Sequence, residues 1–265
     1  QSLEVLMLLF AMKISQHGFG RHMYMLRGNH EQRYMNAEHG FKEELEERFD
    51  QWMADDLFEK FNDVFDHMPL ACLVGSQQSD DKILCMHGGI SPKLTSLDAI
   101  RNIPKPLEDL DDNELATDLV WADYEKRVKG FKPNDYREIS VIFGAHALDA
   151  TLERLGVKSI VRSHQKIKAG FEHEYRIVTV TSFIKNSTSL AAMVTYHDDM
   201  LVCGTWPADT QPGEVMMPIG IPSDHIEPST DETEEDSGAI GEGEASKNLP
   251  SNAEKESGDF VIEMD

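Results

Sequence analysis

Apolar residues recur every three to four positions along five stretches of this chain, and that period predicts α-helices. The clearest stretch carries Phe58, Phe61 and Phe65 on one stripe, which we interpret as core packing. The last stretch is followed by Gly156, a residue type that commonly ends helices. The predicted helices are 3–14, 41–49, 54–67, 96–103 and 145–155.

Short apolar runs bounded by polar turns predict strands. The helical stretches lie mostly in the first half of the chain, and the strand runs cluster after residue 156. This order is typical of an α/β sandwich with a large mixed or antiparallel component. The predicted strands are 23–26, 70–74, 82–87, 157–162, 175–181, 190–197 and 200–206.

The composition changes at Pro207. Beyond it Pro, Gly, Ser, Thr and Glu dominate, and the apolar groups are "EVMMPIGI" and "FVIEM". Such a segment buries too little apolar surface to offset the entropy that it would lose on ordering. We therefore predict a folded domain over 1–207 and an acidic, disordered tail over 208–265.

The formal net charge of −23 is concentrated in that tail, where sixteen acidic residues accompany two lysines. The remaining −9 on residues 1–207 argues against a nucleic-acid partner, which needs a basic surface. Leu3–Ile14 is apolar but too short to span a bilayer, so no membrane partner is expected. The odd, irregularly spaced set of Cys72, Cys85 and Cys203 predicts reduced thiols in the cytoplasm or the nucleus.

Three predicted strands end in polar clusters that contain histidine, namely "RGNHE", "HGGISP" and "RSHQ". Ligand and metal sites of α/β folds lie at such strand ends. One such histidine alone would be an ordinary surface or core residue, but three, each near Gly or Arg, favour a site. A cysteine nucleophile is disfavoured because each cysteine lies in an apolar run, and the common serine-nucleophile and phosphate-loop motifs are absent. What remains is oxygen and imidazole chemistry on a metal ion.

The ordered set "LRGNHE", "HGGISP", "DLVWAD" and "RSHQ" resembles the phosphoprotein phosphatase family of metal-dependent serine/threonine phosphatases. Residues 1–207 are similar to its type 1 branch. The resemblance implies an α/β fold, a four-layer metallophosphatase (calcineurin-like phosphoesterase) β-sandwich flanked by helices. It also implies hydrolysis of phosphoserine and phosphothreonine on proteins by a metal-bound hydroxide. The implied partners are phosphoprotein substrates and regulatory subunits.

The same resemblance implies a centre of two divalent metal ions of the manganese, iron or zinc class. Asn29, His87 and His164 match the ligands of one ion. Two such ions about 3.5–4 Å apart stabilise both the attacking and the leaving oxygen of a phosphoryl transfer.

Three further residues receive roles from the resemblance. His30 matches the general acid that protonates the leaving oxygen, and a carboxylate beside it would keep it protonated near neutral pH. Asp123 of "WAD" matches an acidic position near the metals. Arg137 of "NDYREIS" matches a phosphate-binding arginine, displaced by one residue.

Two motifs of that family, Gly-Asp-x-His-Gly and Gly-Asp-x-x-Asp-Arg-Gly, are absent, and Gly-Asp occurs only at Gly258-Asp259. In the family these motifs supply the ligands of the other ion. We therefore expect at most one well-liganded ion and predict that this chain as given is inactive. Because it begins at Gln1 inside a helical pattern, we also expect the N-terminal strands to be missing.

Two alternative functions stay open. A non-catalytic phosphatase-like binding module is favoured by the displaced Arg137 and by a loop at 181–190 that is shorter than in relatives, and disfavoured by the intact histidines. A phosphoesterase of small phosphoesters or dinucleotides is disfavoured by helices similar to those of the type 1 branch.

Regulators of type 1 phosphatases bind by adding a strand to a sheet edge, with apolar anchors in pockets. Polar residues at three of the matching pocket positions predict weak binding of such a peptide. Those positions are Ser159, His173 and Thr205, and the apolar ones are Ile83, Leu201, Val202 and Cys203.

Overall fold

The computed structural model describes residues 1–15, 20, 22–76, 81–182, 190–197, 200–207, 217–221 and 260–264. The α-helices in this part of the chain are α1 (Ser2–Ile14), α2 (Arg33–Glu38), α3 (Phe41–Arg48), α4 (Gln51–Asp66), α5 (Leu97–Arg101), α6 (Glu114–Trp121) and α7 (Ala145–Leu155). Single 3-10 turns cover Asn29–Glu31 and Leu110–Asp112. The strands are β1 (Ala71–Ser76), β2 (Ile83–Met86), β3 (Asp123–Tyr124), β4 (Phe131–Pro133), β5 (Val141–Phe143), β6 (Ser159–Arg162), β7 (Phe171–Glu174), β8 (Ile177–Val180), β9 (Leu190–His197), β10 (Met200–Pro207), β11 (Met217–Ile221) and β12 (Phe260–Met264).

Helices α1, α3 and α4 pack around a cluster of phenylalanine side chains. Phe58, Phe61 and Phe65 on α4 are all buried, and the ring of Phe41 meets Phe61 edge to face at 5.2 Å between centroids. The Asp50 carboxylate caps the start of α4 by accepting a backbone hydrogen bond from its first turn. The predicted core stripe is therefore confirmed.

The largest sheet in the described residues has six strands in the order β12-β1-β2-β6-β8-β7. Strands β2, β6 and β8 are parallel, whereas β1, β7 and β12 run antiparallel to their neighbours. The main core packs buried side chains of this sheet, such as Leu84 and Ile160, against α5, α6 and α7. Because β2 and β6 are parallel neighbours, the loops that follow them both leave the sheet at the carboxyl ends of these strands.

Two three-stranded sheets flank this arrangement, with the orders β3-β5-β4 and β11-β10-β9. In the first, Asp123 lies opposite Ile142 in a parallel pair. That pairing fixes the main chain at Asp123 relative to β5.

Some predictions from the pattern were wrong. Segment 23–26 is not a strand: Arg27 N donates to Pro69 O at 2.8 Å, but no described strand pairs with the segment. The region 104–114, for which no helix or strand was predicted, contains a 3-10 turn and the start of α6. Residues 115–121 of α6 are all buried, so the helix has no solvent-exposed face. Its sequence therefore lacks the regular alternation of apolar and polar positions that predicts a surface helix.

The tail differs from the prediction at two stretches, which form β11 and β12. These are the two apolar groups of the tail, and they pair with the edges of β10 and β1, where unpaired backbone groups attract a further strand. The rest of 208–265 lies outside the described residues, so its disorder stays a prediction. In the part of the chain that the structure describes, no helix has both the length and the apolar character needed to cross a membrane.

Candidate metallophosphatase site

The topology of the sheet brings two histidines together. His87 follows β2 and His164 follows β6, and Ser163 N donates to His87 O at 3.0 Å beyond the end of the ladder. The two imidazole rings lie 5.3 Å apart between centroids and are steeply inclined to each other. His164 has a φ of 59°, a left-handed backbone conformation that is uncommon for residues other than glycine.

The two glycines after His87 allow its loop to pack closely against two other elements. A Cβ atom on Gly88 would lie 2.4 Å from the Val120 carbonyl carbon in α6. A Cβ atom on Gly89 would lie 2.2 Å from the Phe143 ring at the end of β5. No other residue type fits at either position without moving its neighbours, so the glycines set where His87 lies.

The 3-10 turn of "GNHE" places Asn29 against His87, with 2.9 Å between Asn29 Oδ1 and His87 Nε2. The Glu31 carboxylate accepts a hydrogen bond from Gly28 N at 2.8 Å and so closes the turn on itself. Asn29 is buried, whereas the imidazole of His30 lies at the surface.

Arg27 holds this turn from inside the protein. Its Nε donates to Glu31 O at 2.9 Å and its Nη1 to Leu107 O at 2.6 Å. Its Nη2 forms a buried ion pair with Asp66 Oδ1 at 2.9 Å. The side chain of Arg27 is 1% exposed, so the position of the turn that carries Asn29 and His30 depends on a buried charged residue.

Asp123 connects the histidine pair to Arg137. Its Oδ2 accepts hydrogen bonds from Asn134 Nδ2 at 2.9 Å and from Arg137 Nε at 3.0 Å. Its Oδ1 lies 3.6 Å from His164 Nε2, which is too far for a hydrogen bond. Asp123 Oδ1 and His164 Nε2 are buried without a hydrogen-bond partner in the structure. Unpaired buried polar atoms are costly, so this pair marks a place where a ligand would be stabilised.

Burial keeps both central histidines neutral. It lowers the pKa of His87 to about 3, with His164 and Arg162 adding to the effect. It also lowers the pKa of His164 to about 3, with further contributions from Arg162 and Arg137. A neutral imidazole is the form that ligates metals.

The environment of His30 differs from the one expected. Partial burial and then the neighbouring His39 and Lys166 lower the pKa of His30. The rings of His30 and His39 lie 5.2 Å apart. Among the described residues, no carboxylate contributes to this pKa, so the expected carboxylate that would keep His30 protonated is not found there.

This site and fold have counterparts among known proteins. Residues 2–167, more than half of the chain, match the sequence profile of the calcineurin-like phosphoesterases. The chain belongs to the calcineurin-like phosphoesterase family. The matched region of this calcineurin-like phosphoesterase contains every residue that the sequence analysis placed in the site, and the predicted metallophosphatase fold is confirmed.

One curated relative is the serine/threonine-protein phosphatase PP1-delta of Caenorhabditis elegans, 37% identical over 184 residues. The alignment covers 69% of this chain and 56% of PP1-delta, so the chain spans little more than half the length of that relative. A solved protein serine/threonine phosphatase of Saccharomyces cerevisiae, described as similar to the human phosphatase PP5, shares the fold. It has a TM-score of 0.66 and 24% identity over 81% of this chain and 69% of that chain. The resemblance to phosphoprotein phosphatases is thus confirmed.

Membership of the calcineurin-like phosphoesterases implies divalent metal ions, and the site fits one of them. The residues that would hold it are those that the resemblance implies, with the amide oxygen of Asn29 and the neutral imidazoles of His87 and His164 as donors, beside Asp123 Oδ1, which has no hydrogen-bond partner. Among the described residues, no group of three or more His, Cys, Asp or Glu side chains is arranged to hold an ion. These residues therefore provide no carboxylate-rich set for a second ion.

The structure brings five of the six predicted site residues into one line of contacts. The displacement of Arg137 by one residue does not remove it from the site, because its guanidinium reaches Asp123. His30, whose side chain is exposed, is not part of this line of contacts. The prediction about the 181–190 loop concerns 183–189, which lie outside the described residues.

Sequence reasoning missed several residues that support the site. Asn134 orients Asp123, and Arg162 and Gln165 of "RSHQ" bind the neighbouring main chain. A charged residue at the end of the apolar run "VKSIVR" was the available signal for Arg162. Tyr136 is 87% exposed beside the site, with the Arg137 guanidinium 5.6 Å from its ring centroid.

Proposed function

We propose that the function of this calcineurin-like phosphoesterase is the metal-dependent hydrolysis of phosphoserine and phosphothreonine esters on proteins, and that the chain as given, which lacks the two Gly-Asp motifs, is close to inactive. The observation that carries the proposal is the unpaired, buried couple of Asp123 Oδ1 and His164 Nε2 beside His87 and Asn29. The 37% identity to PP1-delta supports a protein phosphoester as the substrate class.

In this proposal Arg137 binds the phosphate group. Asp123 accepts a hydrogen bond from the Nε atom of Arg137 and so fixes the plane of the guanidinium. The forked end of a guanidinium pairs with two phosphate oxygens at once. The ion would be held by Asn29, His87 and His164, and when bound it would stabilise negative charge on the phosphoryl oxygens.

His30 is the proposed proton donor to the leaving seryl or threonyl oxygen. Its lowered pKa favours the neutral ring in the free protein. A dianionic phosphate beside the ring favours the imidazolium, because an opposite charge at short range stabilises the charged form. Substrate binding and protonation of His30 therefore support each other.

The first test measures bound metal and turnover in the same samples. We expect the chain to bind one Mn²⁺, read by electron paramagnetic resonance, and to release phosphate from a phosphoserine peptide far more slowly than its relatives. The slow rate follows because the two Gly-Asp motifs, which supply the ligands of the other ion in the family, are absent from this sequence. His87→Ala should abolish both signals, and the control His146→Ala, at an exposed position on α7, should leave them unchanged. Release that does not depend on Mn²⁺ would contradict the proposal.

A second candidate function is a non-catalytic module that binds phosphorylated peptides. The absence of the two Gly-Asp motifs from this sequence is the observation that favours it. The two candidates differ in one measurement, since a binding module holds a phosphoserine peptide at equilibrium with the phosphate intact. Mass spectrometry of the recovered peptide after long incubation distinguishes them.

A further inference from the structure

Arg162 at the end of β6 is a buried arginine whose hydrogen bonds go to three separate segments. Its side chain is fully buried. Its Nε donates to Gly88 O, its Nη2 to Ala122 O at 2.9 Å, and its Nη1 to Gln165 Oε1. Two of the three acceptors are backbone carbonyls, so the guanidinium holds main chain in place.

Each of these acceptors is adjacent in sequence to a residue of the site. Gly88 follows His87, Ala122 precedes Asp123, and Gln165 follows His164. The three segments come from different elements, since they follow β2, α6 and β6. One planar guanidinium, with five N–H groups in fixed directions, therefore sets the spacing of three loops.

Gln165 extends this link to the other side of Asp123. Its Oε1 accepts a hydrogen bond from Tyr124 N at 2.8 Å, and its Nε2 donates to Tyr124 O at 3.2 Å. The main chain is thus held both before and after Asp123, at Ala122 and at Tyr124. Asp123 Oδ1 itself is 3.9 Å from Arg162 Nη2, so this carboxylate oxygen forms an ion pair with the arginine but no hydrogen bond.

We propose that Arg162 is a positioning residue of the metal site, which keeps the loops of His87, Asp123 and His164 in the register needed to bind one ion. Lysine cannot replace it, because a single ammonium cannot reach three divergent acceptors in one plane. The inference rests on the proposed function only in taking Mn²⁺ as the probe of the site.

Arg176 provides a matched control. It also donates to two backbone carbonyls, Lys158 O at 2.6 Å and Val157 O at 2.7 Å, and it pairs with Asp149. These contacts lie at the start of β6, at the other end of the strand from the site. Arg176→Lys should therefore disturb the fold in a similar way to Arg162→Lys without touching the three loops.

The experiment compares wild type, Arg162→Lys and Arg176→Lys by hydrogen exchange with mass spectrometry and by Mn²⁺ titration. We expect Arg162→Lys to speed exchange together in 86–89, 121–125 and 163–166. We expect it to weaken Mn²⁺ binding about 10–100-fold, the effect of losing residues that orient metal ligands. Arg176→Lys should speed exchange near 157–159 and leave Mn²⁺ affinity within about twofold, as an independent distant site does.

A second variant covers the case in which Arg162→Lys does not fold. Gln165→Leu removes the bonds to Tyr124 and the acceptor of Arg162 Nη1, and it keeps the bonds from Arg162 to Gly88 and Ala122. It should speed exchange at 123–125 and 163–166 but not at 86–89. Unchanged exchange at 123–125 would overturn the proposal, as would an Arg162→Lys protein that keeps wild-type Mn²⁺ affinity. If wild type binds no Mn²⁺, the proposed function fails, while joint loosening of the three loops still supports the role of Arg162 and separate behaviour overturns it.

Discussion

At the scale of single residues, the buried ion pair of Arg27 and Asp66 holds the "GNHE" turn in place. Both side chains are almost completely buried, and burial is the largest influence on each pKa, lowered for Arg27 and raised for Asp66. The pair is therefore costly to bury and more costly to break.

Asp66→Ala should lower the free energy of unfolding by about 3–5 kcal/mol, because it leaves the Arg27 guanidinium buried without its ion partner. Glu59→Ala is the control, since it breaks the exposed pair with Arg33 and should cost less than about 1 kcal/mol. Urea denaturation followed by circular dichroism measures both. An equal loss of unfolding free energy in the two variants would show that the buried pair contributes no more to stability than the exposed pair.

His30 and His39 allow the proposed acid to be tested against its own neighbour. In a chimera that takes the two Gly-Asp motifs from a relative, His30→Ala should lower turnover of a phosphoserine peptide about 10²–10⁴-fold. His39→Ala changes the adjacent ring and should leave the rate within about threefold, because the proposal assigns the proton transfer to His30 and none to His39. A loss below threefold in His30→Ala would remove His30 from the role of acid.

The residues of the site were only partly predictable, for a physical reason. His87 and His164 could be found because each follows an apolar strand, and strand ends are where sites lie. The role of Arg162 could not, because its acceptors are carbonyl groups far away in the sequence. Any residue type has a carbonyl, so no pattern in the letters marks an acceptor.

At the scale of helices and strands, the sequence predicts those elements that have one solvent-exposed face and one buried face. Helix α7 was predicted with its observed bounds, and α4 within three residues, because their apolar faces alternate with polar ones. Helix α6, which is buried all round, was not predicted as a helix. The strands of the β3-β5-β4 sheet span two or three residues each, too few to show any period.

The edge of β10 leads to a prediction about partners. Segment β11 pairs with β10 from Leu201 to Thr205, so a peptide that adds a strand at this edge must displace it. Segment β11 is a weak strand, because Pro218 has no N–H to donate, but its short tether gives it a high local concentration, on the order of mM. We therefore expect weak binding of regulator-type peptides to the whole chain.

Ile219→Pro removes a further N–H from β11 and should strengthen binding of an extended apolar peptide at the β10 edge. Ile226→Pro is the control, because it lies in the tail beyond β11. Fluorescence anisotropy of a labelled peptide reads the affinity. The same affinity for wild type, variant and control would mean that β11 does not compete for this edge.

At the scale of the whole molecule, both buried clusters are built from residues within 1–207. Deleting 208–265 removes β11 and β12 but no residue of either cluster. We expect the melting temperature to fall by only a few degrees, since about 1 kcal/mol corresponds to about 2–4 °C in a domain of this size. Calorimetry decides the point, and a fall above about 10 °C would show that the tail strands are essential to the fold.

The division into a folded domain and a disordered tail, and the location in the cytoplasm or the nucleus, stay predictions. The sequence showed that the tail has two apolar groups but not that they form strands. Pairing to a distant edge depends on which edges the rest of the fold leaves open, and that is a property of the assembled sheets.

The glycine pair after His87 bears on how natural variation in this protein should be interpreted. Gly88 and Gly89 have no room for a methyl group against Val120 and Phe143. A library of random variants, selected only for soluble yield and never for activity, would therefore retain glycine at both positions. If these two residues were invariant across species, steric crowding behind the site would explain it, and the invariance would say nothing about the chemistry of the site. Invariance of the exposed Tyr136 would have no such steric explanation.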